Sequence, residues 1–356
     1  MEKFLTIIIP TYNMEKYLDK CLTSLIIEDK ELMKQLEVLV VIDGAKDRSS
    51  EIAHTYQDRY PETFRVIDKE NGNYGSCVNR GLKEATGKYV KVLDADDTFN
   101  TANFQKLLNL LKKTDADCVL SDMERVQEVG TSMGSTSFDL PTGVTLPIEE
   151  SFKITNSLWM HNVCYRTENV RKIGYVQTEG ISYTDQEWIC VPYSTCKTFA
   201  YFPEVVYRYL VGREGQTVDI NVWEKNLWME VKSLYAMIES YLHPYNGCTE
   251  TGKLHIYNRV VYRTKTVYRA ALLTFQNHTN DELIKEFDGT LKEKLPDVYM
   301  LMNDITPQSF PKNYYIRYWR QDASTYRKKA LLRSRIALLF QPRILAWNIL
   351  HYLGLK

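Results

Sequence analysis

Several common signatures are missing from this 356-residue chain, and each absence closes a route. There is no G-x-x-x-x-G-K-[ST] string and no G-x-G-x-x-G after a strand-like run, so a bound diphosphate would need side chains or a metal rather than a glycine-rich phosphate cradle. The seven cysteines (Cys21, Cys77, Cys118, Cys164, Cys190, Cys196 and Cys248) form no C-x-x-C pair and no Cys/His cluster, which argues against a disulfide framework and a structural zinc. No signal-peptide architecture precedes the apolar run Phe4–Ile9, so a reducing cytoplasm is the expected compartment. Internal repeats and low-complexity tracts are also lacking. Net charge is zero, and no nucleic-acid partner is expected.

What is present is ordinary for a folded protein: 44% hydrophobic and 25% charged residues, with an aromatic share of 12% that includes 25 tyrosines. The length suits one large α/β domain plus a smaller appendage. The neutral balance conceals an asymmetry. From Lys312 to Lys356 there are ten basic residues against one acid, Asp322, leaving 35 basic and 44 acidic groups elsewhere. A body of net −9 and a tail of +9 suggest an anionic surface as partner.

Continuous apolar runs at Phe4–Ile9, Leu36–Ile42, Phe64–Ile67, Tyr89–Leu93 and Cys118–Leu120 predict parallel strands covered on both faces. Helical patterns lie between them: the face Leu18, Cys21, Leu22, Leu25, then Ser49–Tyr60, Ser76–Ala85 and Asn103–Lys113. A βαβα series of this kind predicts a Rossmann-like, mostly parallel sheet with helices on both sides. Residues 130–149 read as a loop or hairpin, and 199–210 as an aromatic strand. Helices are expected at Trp223–Tyr241, His255–Gln276 and Asp281–Leu295. The resulting division is 1–217, with a nucleotide half to about 125, followed by a helical region over 218–356.

In open parallel sheets ligands bind beyond the carboxyl ends of the strands. Three expected strands end there in polar residues: Pro10-Thr11-Tyr12-Asn13, Asp43-Gly44 and Asp94-Ala95-Asp96-Asp97. Three carboxylates within four residues repel one another unless a hard cation such as Mg²⁺ or Mn²⁺ sits among them. An acidic turn before the following helix is the competing reading.

The strings Ile7–Asn13, Val41–Gly44 and Leu93–Asp97, in this order and spacing, resemble family-2 inverting glycosyltransferases of the GT-A fold. The likeness extends over about residues 3–217. The string Gly212-Arg213-Glu214-Gly215-Gln216-Thr217 is similar to one in bacterial members that build surface polysaccharides such as capsule and exopolysaccharide. The resemblance implies a nucleotide diphosphate sugar, usually of uridine, as donor and a glycan or polyprenyl-linked glycan as acceptor. It implies that Thr11, Tyr12 and Asp43 line the base and ribose, with Pro10, Asn13, Asn71, Gly75, Asn79, Asp94, Ala95 and Asp96 completing the donor site. Asp96 and Asp97 would hold Mn²⁺ or Mg²⁺, and Arg213 would clamp the leaving diphosphate. The family commonly shows Glu-Asp where this chain has Thr184-Asp185, which makes Asp185 the general base and Glu187 its rival. His161, Trp188 and Gln216 would lie on the acceptor side.

Two other classes compete. A catalytically silent nucleotide- or glycan-binding module would be expected to lack the carboxylates, which are present. A sugar nucleotidyltransferase would show a Gly-rich basic loop after its first strand, which Pro10–Asn13 is not. The tail interleaves Tyr314, Tyr315, Tyr318, Trp319, Tyr326, Trp347 and Tyr352 with Arg and Lys. Its longest apolar run, Ile336–Phe340, is far short of the roughly 20 residues that span a bilayer. Peripheral docking on an anionic membrane and a helical packing extension both fit it.

Overall fold

A computed structural model describes residues 2–213, 216, 219–275, 279–307 and 312–322. The chain opens with β1 (Leu5–Thr11), α1 (Leu18–Thr23), α2 (Lys30–Lys34), β2 (Leu36–Asp43), α3 (Ser49–Arg59), β3 (Phe64–Lys69), α4 (Asn73–Glu84) and β4 (Tyr89–Val92). Next come β5 (Thr98–Phe99), α5 (Thr101–Lys113), β6 (Cys118–Val126), β7 (Ser132–Ser135) and β8 (Thr145–Pro147). Two 3-10 segments, Ile148–Ser157 and Met160–Asn162, lead into β9 (Val163–Arg166), α6 (Thr167–Lys172), α7 (Asp185–Ser194) and β10 (Thr198–Leu210). The helices α8 (Ile220–Leu242), α9 (Glu250–Arg269), α10 (Asp281–Lys294), α11 (Pro296–Met302) and α12 (Tyr315–Gln321) follow, with a π-helical turn at Ala270–Thr274.

The strands form one sheet in the order β3-β2-β1-β4-β9-β6-β10-β5, with β7 on β6 and β8 on β10. Strands β1, β2, β3 and β4 are mutually parallel, while β9 runs antiparallel to β4 and β6. Every residue of β1 and β2 is buried because helices cover both faces. Side chains alternate accordingly: Leu5, Ile7 and Ile9 join one core with Val38 and Val40, and Ile8 joins the other with Leu39 and Val41.

The strands and helices expected in the first 126 residues stand where the apolar runs predict, except that β6 continues six residues past Leu120, and α2 and β5 were not expected. Residues 130–149 add two short strands, and β10 covers the aromatic run entire. By compactness the chain divides into Met1–Thr217 with Lys232–Val260, and Val218–Val231 with Val261–Lys356. Residues 232–260 therefore group with the first unit, where the sequence reading assigned them to the helical remainder. In the second unit a buried polar knot forms around Arg320, which donates to Asp288 Oδ1 at 2.6 Å, to the Tyr299 carbonyl at 2.8 Å and to Asn303 Oδ1 at 2.9 Å.

All seven cysteines are free thiols. Among the described residues no helix is long and apolar enough to cross a membrane. Tail residues Tyr326, Trp347 and Tyr352, and most of the tail's basic charge, lie outside the described residues.

Candidate active site

Parallel pairing brings the carboxyl ends of β1, β2 and β4 to one edge of the sheet. At the end of β1, Pro10 and Thr11 are buried, and the Thr11 hydroxyl donates to the Ile9 carbonyl at 3.1 Å. Tyr12 turns outward at 44% exposure. Asn13 takes a left-handed φ of 53° and its Oδ1 accepts from the Lys46 amide at 2.8 Å, which ties the loops after β1 and β2 together. Asp43 ends β2 buried, accepting from Lys69 Nζ at 2.6 Å and from the Gly72 amide at 2.9 Å. Asn71 donates its side-chain amide to the Asp43 carbonyl at 2.9 Å.

The acidic turn after β4 is heavily buttressed. Tyr74 donates to Asp94 Oδ1 at 2.7 Å. Asp97 is fully buried; the Tyr207 hydroxyl donates to its Oδ2 and the Leu210 amide to its Oδ1, both at 2.6 Å. Tyr207 in turn accepts from the Asp94 amide at 3.1 Å, so one hydroxyl from β10 bridges two acids of the turn. Ala95 is a core residue, at 2% exposure. Asp96 is ion-paired with Arg213, whose guanidinium lies 5.6 Å over the Tyr17 ring.

His161 faces the same turn, its Nε2 4.0 Å from Asp94 Oδ2. Its ring stacks on Tyr209 at 4.8 Å and on the half-exposed Trp159 at 6.1 Å. The buried Lys91 holds the His161 carbonyl at 2.6 Å. Burial, reinforced by the charge of Asp96, pushes the Asp94 carboxyl up to about 7. Burial and the neighbouring carboxylates raise Asp97 as well. Burial, with the Lys91 charge, holds His161 down to about 3, so its imidazole is neutral and its nitrogen free of a proton at one position.

Among the described residues, Asp94, Asp97 and His161 each offer a ligand atom within 4.8 Å of the others. Two carboxylate oxygens and a neutral imidazole are a donor set that suits Mn²⁺. The residues present fit such an ion. The grouping differs from the expected Asp96 and Asp97, because Asp96 is paired with Arg213 while His161 faces Asp94.

Asp185 is the first residue of α7 and is partly exposed, its Oδ2 accepting from Gln186 Nε2 at 2.8 Å. After burial, the largest cause, its charge adds to the raised pKa of Asp94 and of the Tyr74 and Tyr209 hydroxyls, and the loop before it meets α4 through Ser182, which donates to Asn73 Oδ1 at 3.2 Å. The backbone before it is held by unusual geometry: Tyr183 has a φ of 62°, and Gln177 Nε2 donates to the Thr184 hydroxyl at 2.6 Å. Glu187 points the other way. It is 2% exposed and accepts from the Thr178 amide at 2.9 Å, so it does not meet the cleft that Asp185 borders.

Four expected contacts are corrected. Asn79 directs its amide at the 177–179 loop, accepting from Gln177 N at 2.8 Å and donating to Gln177 O and Glu179 Oε1, both at 2.9 Å. Gly75 is buried, and a Cβ there would stand 2.0 Å from the Thr178 carbonyl oxygen, so its role is to let that loop close on α4. Trp188 is 1% exposed and packs edge-on to Tyr165 at 5.2 Å, which makes it a core residue and not an acceptor contact. Gln216 closes its own loop, donating to Leu210 O at 2.6 Å and accepting from Gly212 N at 3.0 Å. The sequence reading passed over Tyr74, Lys91 and Tyr207. Lys91 carried a signal, as a charged residue inside the otherwise uncharged, fully buried β4.

Residues 6–174 match the family model described as Glycosyl transferase family 2. The chain carries a family-2 glycosyltransferase domain. Its relatives include the uncharacterized glycosyltransferase EpsJ of Bacillus subtilis, 36% identical over 119 residues, which are 33% of each chain. The uncharacterized glycosyltransferase YibD of Escherichia coli is 29% identical over 58% of this chain and 60% of its own. Minor teichoic acid biosynthesis protein GgaB of Bacillus subtilis is 35% identical over 29% of this chain and 11% of its own. The match thus spans about a third of EpsJ and a smaller part of GgaB. The family-2 domain shares its GT-A fold with S. aureus TarS 1-349, solved in complex with UDP-GlcNAc, at a TM-score of 0.67, 20% identity, and coverage of 95% of this chain and 93% of that one.

Proposed function

We propose that this protein is an inverting glycosyltransferase that moves a sugar from a uridine diphosphate donor to a hydroxyl of a glycan or lipid-linked glycan. The observation that carries the proposal is the cluster of Asp94, Asp97 and His161 at the carboxyl edge of the sheet, with Asp185 opening the helix whose preceding loop packs, through Ser182, on Asn73 beside the Tyr74 that holds Asp94. The sequence resemblance supports a uridine donor, as does the UDP-GlcNAc held by TarS on the same fold.

In this reading Tyr12 and Asp43 border the nucleotide. Asp94, Asp97 and His161 hold Mn²⁺ or Mg²⁺, which when bound neutralises the charge developing on the diphosphate. Arg213 adds a guanidinium fork on that side, exchanging Asp96 for phosphate oxygens. Asp185 accepts the proton of the acceptor hydroxyl as that oxygen attacks the anomeric carbon from the face opposite the leaving group, and a single displacement inverts the centre. The basic segment from Lys312 onward supports docking at the cytoplasmic face of an anionic membrane, where lipid-linked acceptors are met.

Incubation with a panel of nucleotide sugars and Mn²⁺, with nucleotide release measured, tests the activity. Asp185→Asn should retain uridine diphosphate binding and lose transfer, since the change removes proton acceptance and leaves the donor site intact. Full transfer by this variant would overturn the base assignment. Co-sedimentation with anionic and neutral vesicles tests the docking; equal binding to both, or to neither, would refute it.

A further inference from the structure

Asn73 and Tyr183 both hold left-handed backbone, with φ of 69° and 62°, although neither is glycine. Such a conformation is uncommon for Asn and an outlier for a bulky residue such as Tyr, so surrounding contacts must impose it. Both lie where α4 meets the loop that leads into α7. Asn73 is the first residue of α4, and Tyr183 stands two residues before Asp185. The two backbones meet at Gly72, whose carbonyl accepts from the Gly180 amide at 3.0 Å.

The Asn73 side chain adds a second tie. Its Oδ1 accepts from the Tyr74 amide at 2.9 Å and, across 109 residues of sequence, from the Ser182 hydroxyl at 3.2 Å. Conformation alone does not call for asparagine here, because glycine takes this φ at no steric cost. What asparagine adds is the acceptor. On one side its chain neighbour Tyr74 holds Asp94 at 2.7 Å. On the other side Ser182 and Thr184 flank Tyr183. Asn73 holds the first, and Gln177 Nε2 holds the second at 2.6 Å. The strained residue is thus clamped from both directions. A neutral hydrogen bond and the strain of one left-handed residue are of the same order, so releasing one hold lets Tyr183 relax and Asp185 move with it.

We infer that Asn73 is a positioning residue for the reaction: through Ser182 it fixes the backbone that carries Asp185 relative to the acidic turn that Tyr74 holds. The inference rests on the reading of Asp185 as the base. Asn73 itself need touch neither donor, metal nor acceptor.

Asn73→Gly keeps the left-handed φ and deletes the acceptor, while Ser182→Ala deletes the donor. Both are tested in the full chain by nucleotide release, with Mn²⁺ and the uridine diphosphate sugar that the wild type turns over fastest. Each variant should lower kcat about tenfold or more, a part of the roughly 100-fold that a 1 Å misplacement costs. Donor KM and uridine diphosphate affinity should stay within about twofold of the wild type, since the donor side is untouched. The double variant should be no slower than the slower single one, because both changes remove the same bond. Amide hydrogen exchange should quicken over residues 178–184 in both variants and not in β1 to β4. Wild-type kcat in either variant, effects that multiply in the double variant, or a parallel loss of uridine diphosphate affinity would each overturn the inference. Nucleotide release from no donor would instead refute glycosyl transfer; faster exchange confined to that loop would still show that Asn73 holds it.

Discussion

Replacing Gly75 by alanine sets two effects against each other, and their magnitudes decide the outcome. Gly75 lies in the first turn of α4, where alanine is favoured over glycine by up to about 1 kcal/mol of helix propensity. Against this, the added Cβ would sit 2.0 Å from the Thr178 carbonyl oxygen and 2.8 Å from its carbon. Both atoms are backbone, so no side-chain rotation relieves the clash, and overpacking of this kind costs about 1–3 kcal/mol. The steric effect wins. Net loss of up to about 2 kcal/mol should lower the melting temperature by several degrees, at about 2–4 °C per kcal/mol for a domain of this size. The loop that must retreat leads directly to Asp185, and a displacement of about 1 Å at a reacting group costs on the order of 100-fold in rate. Calorimetry, a transfer assay and uridine diphosphate titration together read the result: a lower melting point, much slower transfer, near-normal nucleotide affinity. A variant melting at or above the wild type with full transfer would refute the reasoning, leaving propensity as the larger effect.

Asn79→Ala removes three hydrogen bonds to the same loop without a clash, so it should lower stability by about 1–3 kcal/mol and slow transfer in parallel, read by the same two assays. In the second unit, Arg320→Met leaves Asp288 without its guanidinium and should destabilise by about 3–5 kcal/mol in a denaturant titration; a change below about 1 kcal/mol would discount the buried knot. His255 is fully buried in the first unit, where burial and the neighbouring Arg259 hold its pKa down to about 3. The unfolded chain takes up that proton near 6.5 and the folded one does not, so stability is lost as pH falls from about 6.5 toward 3. His255→Gln should flatten part of that acid-side slope in urea melts.

The apolar runs of the first half were legible because a strand covered on both faces must be apolar throughout, and β1 and β2 are buried along their whole length. The acidic turn was legible because carboxylate crowding has a physical cost readable without coordinates. The partners of that turn were not. Tyr207 looks like any residue of an aromatic strand until pairing brings it to Asp97. Gly75 and Asn79 sit in a stretch whose neighbours Asn71 and Gly72 do meet Asp43, so adjacency suggested a donor role. Their actual partners lie about 100 residues away, at Gln177 to Glu179, a distance over which local pattern carries no information. Trp188 was misplaced for a related reason: helix α7 is buried at every position from Gln186 to Ser194, and only its first residue remains partly open.

The bond between Tyr207 and Asp97 spans 110 residues, and that from Leu210 to the same carboxylate spans 113. During synthesis the acidic turn is therefore complete long before the groups that balance it exist. A nascent chain halted near residue 125 has its nucleotide-side strands but holds Asp97 with neither hydroxyl nor amide to receive it. At elongation speeds of about 5–20 residues per second, that state lasts several seconds on the ribosome. Strand β10 is thus the step that supplies both the hydroxyl and the amide that receive Asp97.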